Sequence, residues 1–282
     1  MKRRFQLIDV FRDGPFSGNP LAVILDGEGL STEAMQRITR WLNLSETTFL
    51  LPPSTAEADY RVRIFTLNRE MPFAGHPTLG SCHAWLAAGG RPRREGVVVQ
   101  ECGAGLVPIR RVDSGWAFAA PALIRSGPVA EPDVRRAAEF LRIERAAIVD
   151  AQWADNGPGW LAVLLRGADA VLALEPHGAW PTEQMDIGVV GPCRPDSATA
   201  VELRAFFTDP TGRVLEDPVT GSLNASVAQW LLATGRVSAP YVAAQGTRLG
   251  RSGRVSITQD PDGQVWVGGS SATLFEGLTT FD

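Results

Sequence analysis

The sequence contains two apolar segments of equal length, GHPTLGSCHAWLAAG at 75–89 and GSLNASVAQWLLATG at 221–235. Each begins and ends with glycine, and the second follows the first by 146 residues in a chain of 282. Neither Lys, Arg, Asp nor Glu occurs within 71–90 or 218–235. Because a surface helix keeps a charged face, both segments are predicted to be helices that are buried on most sides.

Strand-like segments extend this repeat on both sides of the helices. YRVRIFT at 60–66 precedes the first helix, and VELRAFFT at 201–208 precedes the second. Segments 96–110 and 253–267 form a second parallel, since each is typical of two strands around a glycine-containing turn. Chance similarity of short apolar helices is the competing explanation. The repeat predicts an α+β fold of two pseudo-symmetric halves, each a curved, mainly antiparallel sheet wrapped around a central buried helix.

Proline and glycine residues between 121 and 132 indicate the division between the halves. The predicted domains are therefore residues 1–120 and residues 121–282, with the assignment of the last residues to the first half left open. In the first half, strands are predicted at 5–11, 21–25 and 47–51. A surface helix is predicted to follow Ser31, a capping residue, with Glu33 near its positive end.

The composition excludes several classes of protein. Apolar residues make up 44% of the chain and charged residues 21%, as in ordinary globular proteins, and the formal net charge is −4. This charge predicts neither a nucleic-acid partner nor an anionic membrane partner. No apolar run is long enough to span a membrane, and the amino-terminal run is interrupted at Asp9 and Arg12, too early for a signal peptide. Cytoplasmic localisation is expected.

The starts of the two buried helices are candidate anion sites. A helix start presents unpaired N–H groups and partial positive charge, and glycine lets a ligand approach the backbone closely. The two starts carry Gly75-His76 and Gly221-Ser222, which are equivalent in the repeat. We expect them to face each other across a cleft between the halves, where a small carboxylate fits.

The three histidines differ in their surroundings. His76 is the second residue of the first helix, whose positive end is expected to lower the imidazole pKa and favour the neutral form. It either caps the helix or acts on a ligand. His83 is expected to be structural, and His177 lies in a loop. The spacing of His76 and His83 within the helix predicts no metal site. The spacing of Cys82, Cys102 and Cys193 predicts neither a metal site nor a disulfide framework.

Two carboxylates are further candidates. Asp217 lies in EDPVTGS, directly before the second helix, and is either a turn residue that complements the helix dipole or a ligand-binding group opposite His76. Glu46 precedes the apolar strand at 47–51 and is either a solvated loop residue or an acid/base whose pKa is raised by its apolar neighbours. No nucleotide- or dinucleotide-binding motif is present, so no cofactor is predicted.

Five motifs occur along the chain in a defined order: VFRDGPFSGNP, NLSET, PFAGHPTLG, EDPVTGS, and finally Gln245-Gly246 with Gly250-Arg251. Together they resemble the PhzF-like family of phenazine-biosynthesis isomerases, which shares the diaminopimelate epimerase fold. The resemblance covers nearly the whole chain. It implies a cofactor-independent, homodimeric isomerase that acts on a small carboxylate-bearing molecule.

The resemblance also implies roles for individual residues. It assigns the acid/base role to Glu46, with His76 and Asp217 as the other catalytic-site residues. Substrate-binding residues are implied at the helix starts and beside Glu46: Gly75, Gly221, Ser222 and Ser45. Related epimerases carry catalytic thiols where this chain has His76 and Ser222, so the resemblance favours proton transfer by one carboxylate over racemisation by two thiols.

The implied reaction moves a proton on a cyclic metabolite of the dihydro-hydroxyanthranilate type. Two alternatives remain open at this point. The protein is a racemase, epimerase or dehydratase of an amino or imino acid, or it is a non-catalytic scaffold that binds a small molecule.

Overall fold

The computed structural model describes residues 2–176, 185–209 and 211–281, and His177 lies outside these ranges. Within them the backbone forms 18 strands and five α-helices. The strands are β1 (Arg3–Val10), β2 (Asn19–Ile24), β3 (Glu46–Leu51), β4 (Tyr60–Thr66), β5 (Glu70–Met71), β6 (Val97–Cys102), β7 (Gly105–Val112), β8 (Gly115–Ala119), β9 (Arg125–Pro128), β10 (Asp150–Asp155), β11 (Leu161–Leu164), β12 (Asp186–Pro192), β13 (Val201–Thr208), β14 (Val214–Asp217), β15 (Tyr241–Gln245), β16 (Gly253–Gln259), β17 (Val265–Gly269) and β18 (Ser271–Thr279). The helices are α1 (Thr32–Leu42), α2 (Gly75–Ala87), α3 (Glu131–Leu141), α4 (Ala168–Leu172) and α5 (Gly221–Ala233).

The chain divides into two compact units. Unit 1 comprises Met1–Ala119 and Gly268–Asp282, and unit 2 comprises Ala120–Val267. The end of the chain, whose assignment the sequence left open, therefore belongs to unit 1.

In unit 1 a mixed sheet surrounds one helix. Strand β1 is antiparallel to both β18 and β2, and the order continues through β3, β4, β6 and β7 to β8. The pairs β2–β3 and β4–β6 are parallel, whereas the others are antiparallel. Helix α2 contacts seven of these strands: β1, β2, β3, β4, β6, β8 and β18. The sheet must therefore curve around the helix.

Unit 2 repeats this topology. Strand β10 is antiparallel to both β9 and β11, and the order continues through β12, β13 and β15 to β16. The parallel pairs β11–β12 and β13–β15 occupy the positions of β2–β3 and β4–β6. Helix α5 packs on β10 and β16. The predicted α+β fold of two similar halves is confirmed.

Both repeated helices are buried, as predicted from their lack of charge. Nine of the 13 residues are buried in α2, and the same holds for α5. Gly80 lets α2 approach the sheet, because a Cβ atom there would lie 2.5 Å from Leu21 Cδ2 and 2.9 Å from Val10 Cγ2. The buried Ser81 hydroxyl is satisfied by donating to Thr48 Oγ1 at 2.9 Å.

The surface helix α1 also begins where the sequence predicts. Ser31 accepts a hydrogen bond from the backbone N–H of Ala34 at 3.2 Å, and Glu33 lies in the first turn. The helix ends at Asn43, which adopts the left-handed conformation that asparagine tolerates. None of the helices in the described residues has the length and apolar content that a membrane crossing requires.

Candidate active site

The turn between β1 and β2 places Asn19 at the start of β2. The buried Asp9 carboxylate accepts hydrogen bonds from the backbone N–H groups of Ser17 and Gly18, at 3.0 and 2.7 Å. A Cβ atom on Gly18 would lie 2.0 Å from the Val10 carbonyl oxygen, so only glycine fits there. This packing accounts for the glycine of the Gly-Asn-Pro sequence and leaves Asn19 1% exposed.

Glu46 and His76 lie side by side in unit 1. Glu46 is the first residue of β3, and His76 is the second residue of α2. Glu46 Oε2 lies 3.6 Å from His76 Nδ1, and the Glu46 side chain is 18% exposed. The structure thus brings together the two unit 1 residues that the sequence singled out for chemistry.

His76 is neutral because it is buried. Burial lowers its pKa to about 3, so the imidazole carries no charge at neutral pH. The sequence predicts the same direction from the positive helix end, whereas the structure identifies loss of solvent as the main cause. Among the described residues, the buried Nε2 atom of His76 has no hydrogen-bond partner.

The start of α2 carries no side-chain cap. Ala74 precedes the helix, and its side chain has no oxygen that could accept from the first N–H groups. Pro77 has no N–H, so the first-turn donors belong to Gly75 and His76. Gly75 is buried, whereas Ser45 is exposed beside Glu46. A helix start of this kind favours a negatively charged ligand.

In unit 2 the turn before α5 is held by a buried glutamine. Gln245 Oε1 accepts from the Thr220 backbone N–H at 2.9 Å and from Asn224 Nδ2 at 2.8 Å. Its Nε2 atom donates to the Asp217 carbonyl and to Thr220 Oγ1. The Thr220 hydroxyl in turn donates to the Asp217 carboxylate at 2.6 Å. Asp217, the last residue of β14, is therefore fixed at the start of α5.

Ser222 is held by the loop at 155–160. Trp160 Nε1 donates to Ser222 Oγ at 3.0 Å, and Asn156 Nδ2 donates to the Ser222 carbonyl at 2.9 Å. Asp155 Oδ1 closes the loop by accepting the backbone N–H groups of Gly157 and Gly159. Sequence reasoning missed Trp160 and Asn156, although the run Asn-Gly-Pro-Gly indicates a tight turn.

The site residues predicted from sequence thus form one group in each unit. Glu46, His76 and Gly75 lie with Asn19 in unit 1, whereas Asp217, Gly221 and Ser222 lie with Gln245 in unit 2. The described residues contain no cluster of three or more His, Cys, Asp or Glu side chains placed to bind one metal ion.

Two other candidates for chemistry lie within α2, away from its start. His83 Nε2 is 3.1 Å from Thr273 Oγ1 on β18, which fits the structural role expected for it. Cys82 is buried, and burial raises the pKa of its thiol, so the reactive thiolate is disfavoured.

The sequence is similar to those of known proteins along nearly its whole length. The family model for phenazine biosynthesis-like proteins, PhzC-PhzF, matches residues 8–277. Antisense-enhancing sequence 1 of Schizosaccharomyces pombe is 34% identical over 292 residues, covering 97% of each chain. Trans-2,3-dihydro-3-hydroxyanthranilate isomerase of Pseudomonas aeruginosa is 32% identical over 284 residues, covering 97% of this chain and 98% of that enzyme.

A solved structure shares the fold over the full length. The Bacillus anthracis phenazine biosynthesis protein of the PhzF family superposes with a TM-score of 0.82 at 22% identity, covering 100% of both chains.

Proposed function

This chain belongs to the PhzC-PhzF family of phenazine biosynthesis-like isomerases, and on that premise we propose that it moves a proton on a small, cyclic, carboxylate-bearing metabolite of the dihydro-hydroxyanthranilate type, without a cofactor. The observation that carries the proposal is the pairing of the Glu46 carboxyl with the neutral His76 imidazole, 3.6 Å apart at the start of a buried helix. The name of the 32% identical Pseudomonas aeruginosa relative supports the substrate class.

Glu46 is assigned the acid/base role. In its protonated form it delivers the carboxyl proton to one ring carbon, and the resulting carboxylate removes a proton from another ring carbon. The ring double bond shifts, and Glu46 regains its proton. The reaction therefore needs no oxidant, reductant or second reactant.

His76 and Ser222 are assigned to substrate binding as hydrogen-bond donors. The indole N–H of Trp160 can only donate, so Ser222 Oγ accepts from it and keeps its own O–H for another acceptor. In each unit the helix-start N–H group, of Gly75 or of Gly221, adds a donor of the kind that suits a carboxylate.

Asp217 is assigned to the substrate's amino group. Its carboxylate already accepts the Thr220 hydroxyl and has further lone pairs that suit an N–H donor. A carboxylate beside the substrate carboxylate would repel it, whereas contact with an amino group is favourable. The proposed substrate therefore carries both groups.

Solvent-deuterium exchange with Glu46→Gln tests the proposal. We expect wild-type protein in deuterated water to convert trans-2,3-dihydro-3-hydroxyanthranilate with deuterium incorporation at a ring carbon. Glu46→Gln should reduce turnover by about 10²- to 10⁴-fold, because its amide cannot transfer a proton. Mass spectrometry of the product measures both quantities.

Glu57→Gln is the matched control, because Glu57 is exposed on unit 1 outside the site. It should retain wild-type turnover. Wild-type turnover in Glu46→Gln would overturn the role of Glu46. Binding without turnover by the wild-type protein would instead favour a scaffold, and exchange at the α-carbon of an amino or imino acid would favour a racemase.

The proposal extends to assembly and location. The family resemblance is the reason for proposing a homodimer. We also place the enzyme in the cytoplasm, because all three cysteines are free thiols, as is usual in a reducing compartment. Light scattering during gel filtration should give about twice the 30.3 kDa mass of the chain. A mass of one chain at micromolar concentration would contradict the dimer.

A further inference from the structure

We propose that Asn19 is a positioning residue that fixes His76 as the tautomer with its proton on Nε2. The inference deepens the proposed function, because it defines which group the histidine presents to a ligand. The contacts that support the inference lie within the protein itself.

The Asn19 amide determines which ring nitrogen of His76 carries the proton. Asn19 Nδ2 lies 3.5 Å from His76 Nδ1, and both side chains are buried. An amide nitrogen only donates, so Nδ1 must accept. A neutral imidazole carries one N–H and one lone pair. The proton of His76 therefore lies on Nε2.

Burial removes the other possibility, an imidazolium with protons on both nitrogens. The pKa of about 3 keeps His76 neutral at neutral pH. The Glu46–His76 contact is consequently not a charged ion pair, and Glu46 Oε2, at 3.6 Å from Nδ1, lies no closer to it than the Asn19 amide nitrogen does at 3.5 Å.

The Nε2–H group is suited to a ligand acceptor. Nε2 is buried and, among the described residues, has no hydrogen-bond partner. A buried donor without a partner is unfavourable, and an oxygen of a carboxylate or carbonyl group would satisfy it. An ammonium group would not, because it has no lone pair to accept with. The tautomer thus selects the acceptor end of the substrate.

The backbone around Asn19 keeps the amide in place. Gly18 packs against the Val10 carbonyl, and the Asp9 carboxylate binds the Gly18 N–H. The substitution Asn19→Asp would present only acceptors to Nδ1, because an ionised carboxylate has no hydrogen to donate. The exchange of one amide for a carboxylate should therefore move the imidazole proton.

Nitrogen NMR of histidine-labelled protein tests the assignment. Two-bond ¹H–¹⁵N correlation spectra distinguish a protonated from an unprotonated ring nitrogen, and His76→Gln identifies the His76 signals. In wild-type protein at neutral pH we expect protonated Nε2 and unprotonated Nδ1. A protonated Nδ1 in the wild-type protein overturns the proposal, whether or not any variant folds.

Asn19→Asp adds a functional measurement. We expect protonated Nδ1 in this variant and a loss of about 10- to 100-fold in kcat/KM, the range observed when a hydrogen-bond partner that orients a metal-ligating histidine is removed. Unprotonated Nδ1 in Asn19→Asp overturns the proposal. Wild-type kcat/KM with a protonated Nδ1 overturns the positioning role.

Thr273→Val is the matched control, because it removes the Thr273 hydroxyl 3.1 Å from Nε2 of another helix α2 histidine, His83. It should change the His83 signals and leave the His76 signals and kcat/KM unchanged. A shift of the His76 signals in this control would overturn the assignment of the effect to Asn19. If the tautomer is as assigned but Glu46→Gln retains turnover, the proposed function fails and this inference stands.

Discussion

At the scale of the residue, burial determines how His76 behaves. Exposed histidine gains a proton near neutral pH, whereas His76 stays neutral down to a pH of about 3. Its role in the proposed reaction is therefore to orient the substrate, not to carry charge. The same burial has a measurable effect on stability.

We expect the free energy of unfolding to fall as the pH is lowered below 6.5. The unfolded His76 has the ordinary pKa of 6.5 and the folded one a pKa of about 3, so between these values the unfolded state binds one more proton. The loss reaches about 1.4 kcal/mol per pH unit in this range. Urea midpoints of wild-type protein and His76→Gln, measured between about pH 7 and pH 4.5, should diverge accordingly. Parallel curves would contradict the lowered pKa.

The sequence identified some site residues and missed others for a physical reason. Glu46 and His76 lie in the motifs NLSET and PFAGHPTLG, and each is a residue type that serves in acid/base sites. Asn19 also lies in a motif, VFRDGPFSGNP, but its contact with His76 joins residues 57 positions apart. Trp160 comes from a loop that belongs to no motif and acts on Ser222, 62 positions away. Contacts at such separations depend on the folded chain.

At the scale of the element, both buried helices are held at their fourth residue by a glutamine. Gln100 on β6 donates to Thr78 in α2 at 2.9 Å, and Gln245 on β15 accepts from Asn224 in α5 at 2.8 Å. Each glutamine lies on the strand that follows its helix. Because buried polar groups need partners, this contact fixes the rotation of each helix against its sheet.

Two glycines of the β1–β2 turn should respond differently to alanine. Gly18→Ala should destabilise the protein by about 1–3 kcal/mol, because its Cβ would overlap the Val10 carbonyl and backbone must move. Gly14→Ala should change stability by less than about 0.5 kcal/mol, because no atom lies within 4 Å of its added Cβ. Urea denaturation compares the two variants. Equal losses would contradict the packing argument.

The repeat predicted from sequence was correct for the helices and wrong for one pair of strands. Segment 96–110 contains most of β6 and β7, and segment 253–267 contains β16 and most of β17. The parallel pairing of β6 with β4 and of β15 with β13 instead makes β15–β16 the counterpart of β6–β7. Glycine-containing strand pairs look alike in sequence, so only the pairing partners identify the equivalent ones.

At the scale of the whole molecule, the two repeats exchange their last strands. The first repeat runs from β1 to β9 and the second from β10 to β18. Strand β9 pairs with β10 in unit 2, whereas β18 pairs with β1 in unit 1. A sequence division near residue 120 indicates the repeats but cannot show the exchange, which depends on pairing between distant segments.

A deletion and a permutation test the importance of β18. Removing residues 271–281 should prevent unit 1 from folding, because β1 loses one of its two neighbours along its whole length. A permuted chain that starts at Ser271 and joins residue 281 to residue 2 by a flexible linker should fold, since Arg3 lies opposite Thr279. Circular dichroism and urea unfolding measure both. A stable deletion variant would contradict the prediction.

The position of β18 in the sequence also determines when β1 can pair with it during synthesis. A ribosome that adds about 5–20 residues per second completes β18 tens of seconds after β1 has been made. All residues of unit 2 are made during that interval. Throughout it, one edge of β1 lacks its partner, and unpaired strand edges promote aggregation. Nascent unit 1 therefore keeps an unpaired strand edge until β18 has been made, and the permuted chain, in which β18 is made first, removes the delay.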